Sequence, residues 1–246
     1  MFRVLTRNLG WVVASLLAVL PAHAGPPYVA DDPQPTDFRH YEIYFFASSQ
    51  GGSAGNGGAA GIDFNYGGAP DLQLTTVLPV AYGHPAGRRA VSGLGNIELA
   101  AKYRFLHQSD WGWDVAVFPR IFLRSTSGQV GNQHASYLLP VWLQRDWGNW
   151  STFGGGGCEL NRGDDSRSFC QWAWALARQF TPDLQIGAEL QHQGADAAGA
   201  RPSTGIGLGL HFDATPNLHL LGYASRGVQN TTINRYSTYA ALLLTF

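Results

Sequence analysis

Ten charged or titratable side chains recur at alternate positions within stretches of otherwise apolar or small residues: Glu42, Asp63, Glu98, Lys102, Arg104, Asp114, Arg120, Arg124, Glu189 and His211. Two kinds of chemistry suit such a set. If these side chains line an aqueous passage, their fixed charges select solutes. If they face one another across a narrow space, they pair, cross-link the wall that bears them and fill the passage. Both readings stay open on the residues alone, and neither excludes the other.

Cys158 and Cys170 flank the polar run ELNRGDDSRSF. In an oxidising compartment they read as one disulfide closing a loop. Two thiols alone are an incomplete zinc site and no spaced histidine pair stands beside them, so no metal site is expected. The glycine-rich GGSAGNGG near Gly51 has no helix pattern after it, which makes it a flexible outer loop and not a phosphate cradle. The run from Gly154 to Gly157 lies inside a strand pattern, where it signals strand bending or close backbone approach. Net charge is -1 with acidic and basic residues scattered, which leaves no footprint for nucleic acid.

The elements that must position these groups begin after a leader. Arg3 and Arg7 precede an apolar run from Leu9 to Leu20, and the small-residue pattern Ala22-His23-Ala24 follows. This is the order of a signal peptide over residues 1–24, too short in its apolar part to span a bilayer as a helix. The mature chain therefore leaves the cytoplasm, and its remaining residues suit one large β domain. Charged residues are 13% of the chain against about 25% in ordinary soluble domains. No later segment has the unbroken apolar length of a membrane helix. Low charge without such helices is the composition of a lipid-facing barrel, whose apolar residues take alternate positions.

Period-2 patterning supports this. About twelve segments of roughly ten residues alternate, beginning near His40, Gly57, Asp71, Gly93, Trp111, His134, Asn149, Ser168, Pro182, Pro202, Asn217 and Tyr236. In GNIELAAKYRF, Ile97, Leu99, Ala101, Tyr103 and Phe105 share one face, and Glu98, Lys102 and Arg104 the other. In STGIGLGLHF the apolar residues alternate with Gly205, Gly207, Gly209 and His211, so that the inward face is mostly bare backbone. Connections alternate too. GGAPD, HQSD, DWGN, FTPD and DATPN are tight, whereas those around Gly51, His84, Gly128, Asp164, Ala197 and Gln229 are longer, as periplasmic turns and outer loops are. Beside the tight turns gather Phe105, Trp111, Trp113, Trp147, Trp150, Phe180, Phe212 and Phe246, the makings of an interfacial girdle. The expected fold is an all-β, antiparallel up-and-down transmembrane barrel of about twelve strands over residues 39–246. A soluble sandwich would alternate as well but lacks the asymmetry of the connections.

The strand pattern also bears on catalysis. His134 and Ser136 have the spacing with which outer-membrane lipid hydrolases present a base and a nucleophile on one strand. Alternation with Tyr137, Leu139, Val141 and Leu143 turns the pair inward, away from the outer leaflet. The other match, His107 and Ser109, falls in a periplasmic turn. No enzymatic activity is expected.

The lead PPYVADDPQPTDFRHYEIYFFAS and the strand GLGNIELAAKYRF resemble the outer-membrane barrel family associated with the meta-pathway of phenol degradation. Its members often begin with a Pro- and Asp-rich lead, an RHWE-like strand start and a later GDxELGxKYRF-like strand. Arg39, His40 and Glu42 match the first motif, with Tyr41 in place of Trp. Glu98, Lys102, Tyr103, Arg104 and Phe105 match the second, with Asn96 in place of Asp. The resemblance implies a transporter-like barrel of the Gram-negative outer membrane, for aromatic or other hydrophobic solutes. Residues 25–38 are expected to stay periplasmic or to tuck into the lumen as a partial plug. The final strand YSTYAALLLTF resembles the outer-membrane assembly signal, with Phe246 as its terminal aromatic. Passive passage of a small solute needs no cofactor. The expected partners are that solute, outer-membrane lipid and the assembly machinery.

Overall fold

The computed structural model describes residues 27–127, 130–162 and 166–246. The expected leader, 1–24, lies outside them, as do the centres of the connections expected at Gly128 and Asp164. Fourteen strand segments follow in order: β1 (Tyr41–Gly52), β2 (Gly55–Ala69), β3 (Leu72–Pro85), β4 (Val91–Leu94), β5 (Glu98–Leu106), β6 (Asp114–Val117), β7 (Arg120–Phe122), β8 (Ser136–Trp147), β9 (Trp150–Leu160), β10 (Phe169–Thr181), β11 (Leu184–Gln193), β12 (Ser203–Thr215), β13 (Leu218–Gln229) and β14 (Tyr236–Thr245). They make twelve barrel strands. Segments β4 and β5 both pair with β3, through Val80↔Leu94 and Leu72↔Tyr103, and are two pieces of one barrel strand. Likewise β6 and β7 both pair with β5 and with β8, on either side of a break at Phe118 and Pro119.

Each barrel strand runs antiparallel to the next, and β1 pairs with β14 to close the barrel. The seam is completed by Tyr41 and Phe246, whose backbone N–H groups each donate to the other's carbonyl at 3.0 Å. Closure leaves no edge, the condition under which a strand can cross lipid without an unpaired backbone. Among the described residues no helix is long and apolar enough to cross a membrane.

Side chains follow the pleat. Along β11, Gln185, Gly187 and Glu189 are buried inside while Ile186, Ala188 and Leu190 are exposed outside. Phe45, Leu78, Leu139, Leu176, Leu208 and Leu242 are likewise exposed on their strands, forming an apolar belt of the kind that barrels turn to lipid. At the end bearing Phe246 the hairpins β2–β3, β8–β9, β10–β11 and β12–β13 turn over two residues. Asp71 (φ 61°) and Gly148 (φ 56°) supply the left-handed conformation in two of these turns. Phe105, Trp111, Trp147, Trp150, Phe180, Phe212 and Phe246 are exposed around this rim. Trp113 is half-buried, edge-on to Trp174 with centroids 6.4 Å apart. Cys158 and Cys170 are joined in a disulfide and are cross-strand partners on the outward face near the opposite end.

Three local expectations need correction. The glycine-rich stretch at Gly51 is not a long loop. Gly52 pairs with Gly55, and Ser53 and Ala54 turn the hairpin. Small residues permit the tight reversal, with Gly55 at φ 131°, and Ala54 donates to Thr232 O at 2.9 Å. HQSD is not a tight turn. Residues Gln108–Trp111 form the single helical turn α1, ended by the left-handed Gly112, and the strand starts at Asp114 instead of Trp111. Strand β7 ends at Phe122, so Arg124 lies beyond the ladder and is exposed. The Gly154–Gly157 run does approach its neighbours closely. A Cβ on Gly155 (φ 153°) would lie 2.0 Å from Val141 O and 3.1 Å from the Trp142 ring.

Candidate functional site

The described part of the lead runs through the barrel interior, and most of the charged wall is organised around it. Asp31 reaches Lys102 Nζ at 2.9 Å and Arg120 Nη2 at 3.2 Å, and Asp32 lies 3.5 Å from Lys102. Arg120 Nε in turn faces Glu98 Oε1 at 3.3 Å. Both cations flank the Phe118 ring, with Arg120 Cζ at 4.3 Å and Lys102 Nζ at 5.0 Å from its centroid. Phe118 points inward because it continues the alternation of Asp114 and Ala116, which are buried on the same face. Lys102 is almost wholly buried, and an ammonium taken from water at several kcal/mol persists only with such partners.

Nearer the short-turn end, Gln34 bridges two wall groups. Its Nε2 donates to Asp114 Oδ2 at 3.0 Å, and its Oε1 accepts from Arg104 Nη1. Arg104 also donates through Nε and Nη2 to Asp71 Oδ1 at 2.9 and 2.8 Å, and His107 Nε2 is 3.2 Å from Asp71 Oδ2. Thr36 donates its backbone N–H and hydroxyl to Gln73 Oε1 at 2.9 and 3.1 Å, and Gln73 donates on to Asn65 at 2.7 Å.

Across the lumen, Ala30 N–H donates to Glu189 Oε1 at 2.6 Å, while Tyr223 donates its hydroxyl to Glu189 Oε2 at 2.6 Å. Tyr28 donates to Gly209 O at 3.0 Å, and its ring meets Phe153 edge-on at 5.3 Å. The bare inward face of β12 is therefore a seat. A Cβ on Gly209 would come within 2.5 Å of the Tyr28 ring, and one on Gly187 within 2.5 Å of its hydroxyl. Ala30 packs with Phe118, Trp142, Phe153, Ala173, Ala175 and Ala177 in a small apolar core between lead and wall.

Asp32 lies in the lead and not in a spanning strand. Burial pushes its carboxyl up to about 8, against the opposing pull of Lys102 and with Asp31 adding to the rise. Lys102 sits closer to Asp31, which also has Arg120, so Asp32 is the less compensated of the two.

Among the expected wall residues, Glu98, Lys102, Arg104, Asp114 and Arg120 meet in one network, and Glu189 joins it through the lead. Glu42 accepts from Tyr44 at 3.1 Å, and Asp63 accepts from Asn65 at 3.1 Å, both on the inward face. His211 is inward but belongs to a separate group with Asp213 and His219. Arg124 is outside the lumen network. Asp31, Asp32, Gln34 and Tyr28 escaped the residue pattern because they lie on no strand, although the excess of lumen cations on β5 and β7 called for acidic partners such as the lead's paired aspartates. Ser136 is buried and inward, its hydroxyl without a hydrogen-bond partner among the described residues, while His134 is exposed in the loop before β8. No hydrogen bond joins them among the described residues.

Residues 40–246 match the family model described as "Putative MetA-pathway of phenol degradation". The chain belongs to this family. No curated protein matches it significantly. In solved structures, the fold is similar to an outer membrane channel from Pseudomonas putida F1, with TM-score 0.68 and 12% identity over 91% of this chain and 100% of that one. It is also similar to the NanC porin, with TM-score 0.59 and 12% identity over 83% and 98%. The KdgM porin in complex with disordered oligogalacturonate gives TM-score 0.55 and 12% identity over 83% and 98%. At such identities the likeness is one of fold, the closed antiparallel barrel that this family member shares with these channels and porins.

Proposed function

We propose that this barrel is a passive outer-membrane channel for small solutes and that its lead narrows the passage as a partial plug. The observation that carries the reading is the meeting of lead and wall. Asp31 and Asp32 engage Lys102 and Arg120 on one side while Tyr28 and Ala30 engage Gly209 and Glu189 on the other. A barrel of twelve strands is wider than the filled eight-stranded kind and narrower than the open porins, so one segment of chain suffices to restrict it. The resemblance in fold to channels and porins supports the same reading.

Selectivity then rests on Glu42, Glu98, Lys102, Arg104 and Arg120 at the wall, with Arg124 at the outer approach. The family's association with phenol degradation favours aromatic or hydrophobic solutes. Buried Trp142 Nε1, Gln144 Oε1, Ser151 Oγ and Gln185 Nε2 have no hydrogen-bond partner among the described residues and serve the polar part of such a molecule. Lipid contacts the outer belt, and the assembly machinery reads the strand ending in Phe246.

The density of lead contacts also favours a second reading, a closed barrel whose work is done by its outer loops. Planar-bilayer conductance separates the two. The mature chain is expected to conduct weakly, and a form lacking residues 25–38 several-fold more. If neither form passes ions, sugars or aromatic acids above a protein-free control, the channel reading fails and the closed barrel stands.

A further inference from the structure

At the short-turn mouth of the lumen, away from the lead, three potential metal ligands converge across one hairpin. His211 and Asp213 lie two residues apart on β12, and His219 opposes Asp213 directly on β13. Their side chains share the inward face, and the three ligand atoms all lie within 4.8 Å of one another. Asp213 Oδ1 is the common point, 2.9 Å from His211 Nε2 and 2.5 Å from His219 Nδ1. We propose that His211, Asp213 and His219 bind a divalent transition-metal ion, zinc being the best match, with water completing the shell.

The neighbouring hydrogen bonds carry the argument past mere proximity. Thr245 donates its hydroxyl to Pro216 O at 3.5 Å, so its oxygen is left to accept from His219 Nε2 at 3.3 Å. In a neutral imidazole that fixes the proton on Nε2 and presents the lone pair of Nδ1 to Asp213. A lone pair facing a carboxylate oxygen at 2.5 Å calls for a cation between them, either a proton or a metal ion. The Thr245 contact is also the kind of outer hydrogen bond that holds a metal-bound imidazole in its tautomer and orientation. Two imidazoles and one carboxylate suit zinc and its neighbours in the series, whereas calcium and magnesium prefer all-oxygen shells. Tetrahedral zinc places ligand atoms roughly 3.3 Å apart, which these side chains reach by a shift on the order of an ångström. Such an ion would tie β12 and β13 together, and β14 through Thr245, where the barrel opens to the periplasm.

The test uses tag-free mature protein in detergent, stripped with a chelator. Zinc is titrated calorimetrically, and cobalt(II) serves as a spectroscopic probe. One ion per chain is expected, with visible cobalt bands of a four- or five-coordinate site that zinc abolishes. His219→Gln, His211→Gln and Asp213→Asn should each weaken binding at least tenfold, while His134→Ala, in an exposed loop, leaves it unchanged. Heat-dependent gel migration checks that each variant is folded. Wild-type binding is read directly, so a misfolded variant does not decide the matter. Absence of saturable binding by the wild type, or binding undiminished in folded His219→Gln and His211→Gln, would leave an imidazolium–carboxylate pair and overturn the proposal.

Discussion

Tyr28 occupies the gap that Gly209 leaves in the barrel wall, its hydroxyl donating to the Gly209 carbonyl at 3.0 Å from a position 181 residues earlier in the chain. The ring needs that gap, because a Cβ on Gly209 would stand 2.5 Å from Tyr28 Cε1. Two substitutions should therefore converge. Tyr28→Ala removes a packed aromatic, worth about 3 kcal/mol or roughly a hundredfold in the docking equilibrium of the lead. Gly209→Val leaves the lead intact and fills its seat. Both are expected to raise conductance and expose the lead to protease in a barrel that stays folded. A Gly209→Val channel indistinguishable from wild type would show that Tyr28 is not what holds the lead.

Lys102 is the main cation for two buried carboxylates. Lys102→Met should release the lead, since Asp31 keeps only Arg120 and Asp32 loses its ion-pair partner. The loss falls chiefly on Asp31, because Asp32 in the docked lead carries a proton below about pH 8. The control is the same substitution in a barrel without residues 25–38. There the acidic partners are gone, so the increase in conductance seen in the full chain should vanish, and an equal increase in both backgrounds would mean that Lys102 acts on the pore directly.

The raised carboxyl of Asp32 makes docking of the lead dependent on pH. Its value in the docked state, about 8, lies above the 3.8 of the free group, so the docked state holds the extra proton. That contribution is complete below about pH 4 and declines as pH rises through about 8. Protease accessibility of the lead and conductance should accordingly both rise between about pH 4 and about pH 8 and level off above that. Asp32→Asn, which cannot ionise, should flatten the profile without releasing the lead.

Cys158 and Cys170 are joined on the outward wall, remote from the lead contacts described above. Closing so short a loop contributes about 3 kcal/mol, by restricting the unfolded chain. Cys158→Ser with Cys170→Ser should lower the unfolding temperature and admit protease to the connection between β9 and β10, with conductance unaltered.

Phe246 offers a different separation. Its backbone closes the seam with Tyr41, whereas its ring is exposed on the rim. Phe246→Ala preserves the backbone pairing, so purified protein should refold into micelles at nearly wild-type yield. Assembly in cells, assayed as the heat-modifiable fraction in outer membranes, should fall several-fold if the terminal aromatic is recognised during assembly.

The barrel was legible in the residues because strand character is local. Alternation in GNIELAAKYRF or DLQIGAELQHQ assigns each side chain to lipid or lumen from its immediate neighbours, and turn residues mark the reversals. Eleven of the twelve expected starts fall within two residues of an observed strand segment and the twelfth, at Trp111, within three. The misreadings, at Gly51, in HQSD and at Arg124 just past the end of β7, fall at connections, where short glycine-rich or polar runs suit a tight hairpin, a loop or one helical turn about equally. Contents of the lumen were not legible in the same way. Which inward charges meet and that Gly209 is a seat for Tyr28 depend on barrel closure and on the course of a lead with no periodicity of its own, and that His211, Asp213 and His219 converge depends on the register across one hairpin. Those contacts join residues far apart in the chain or on different strands. Sequence by itself determined the wall and its two faces, because these follow from period 2 and burial. Only the tertiary structure decided what the inner face holds, because that is settled by distances between strands and not along them.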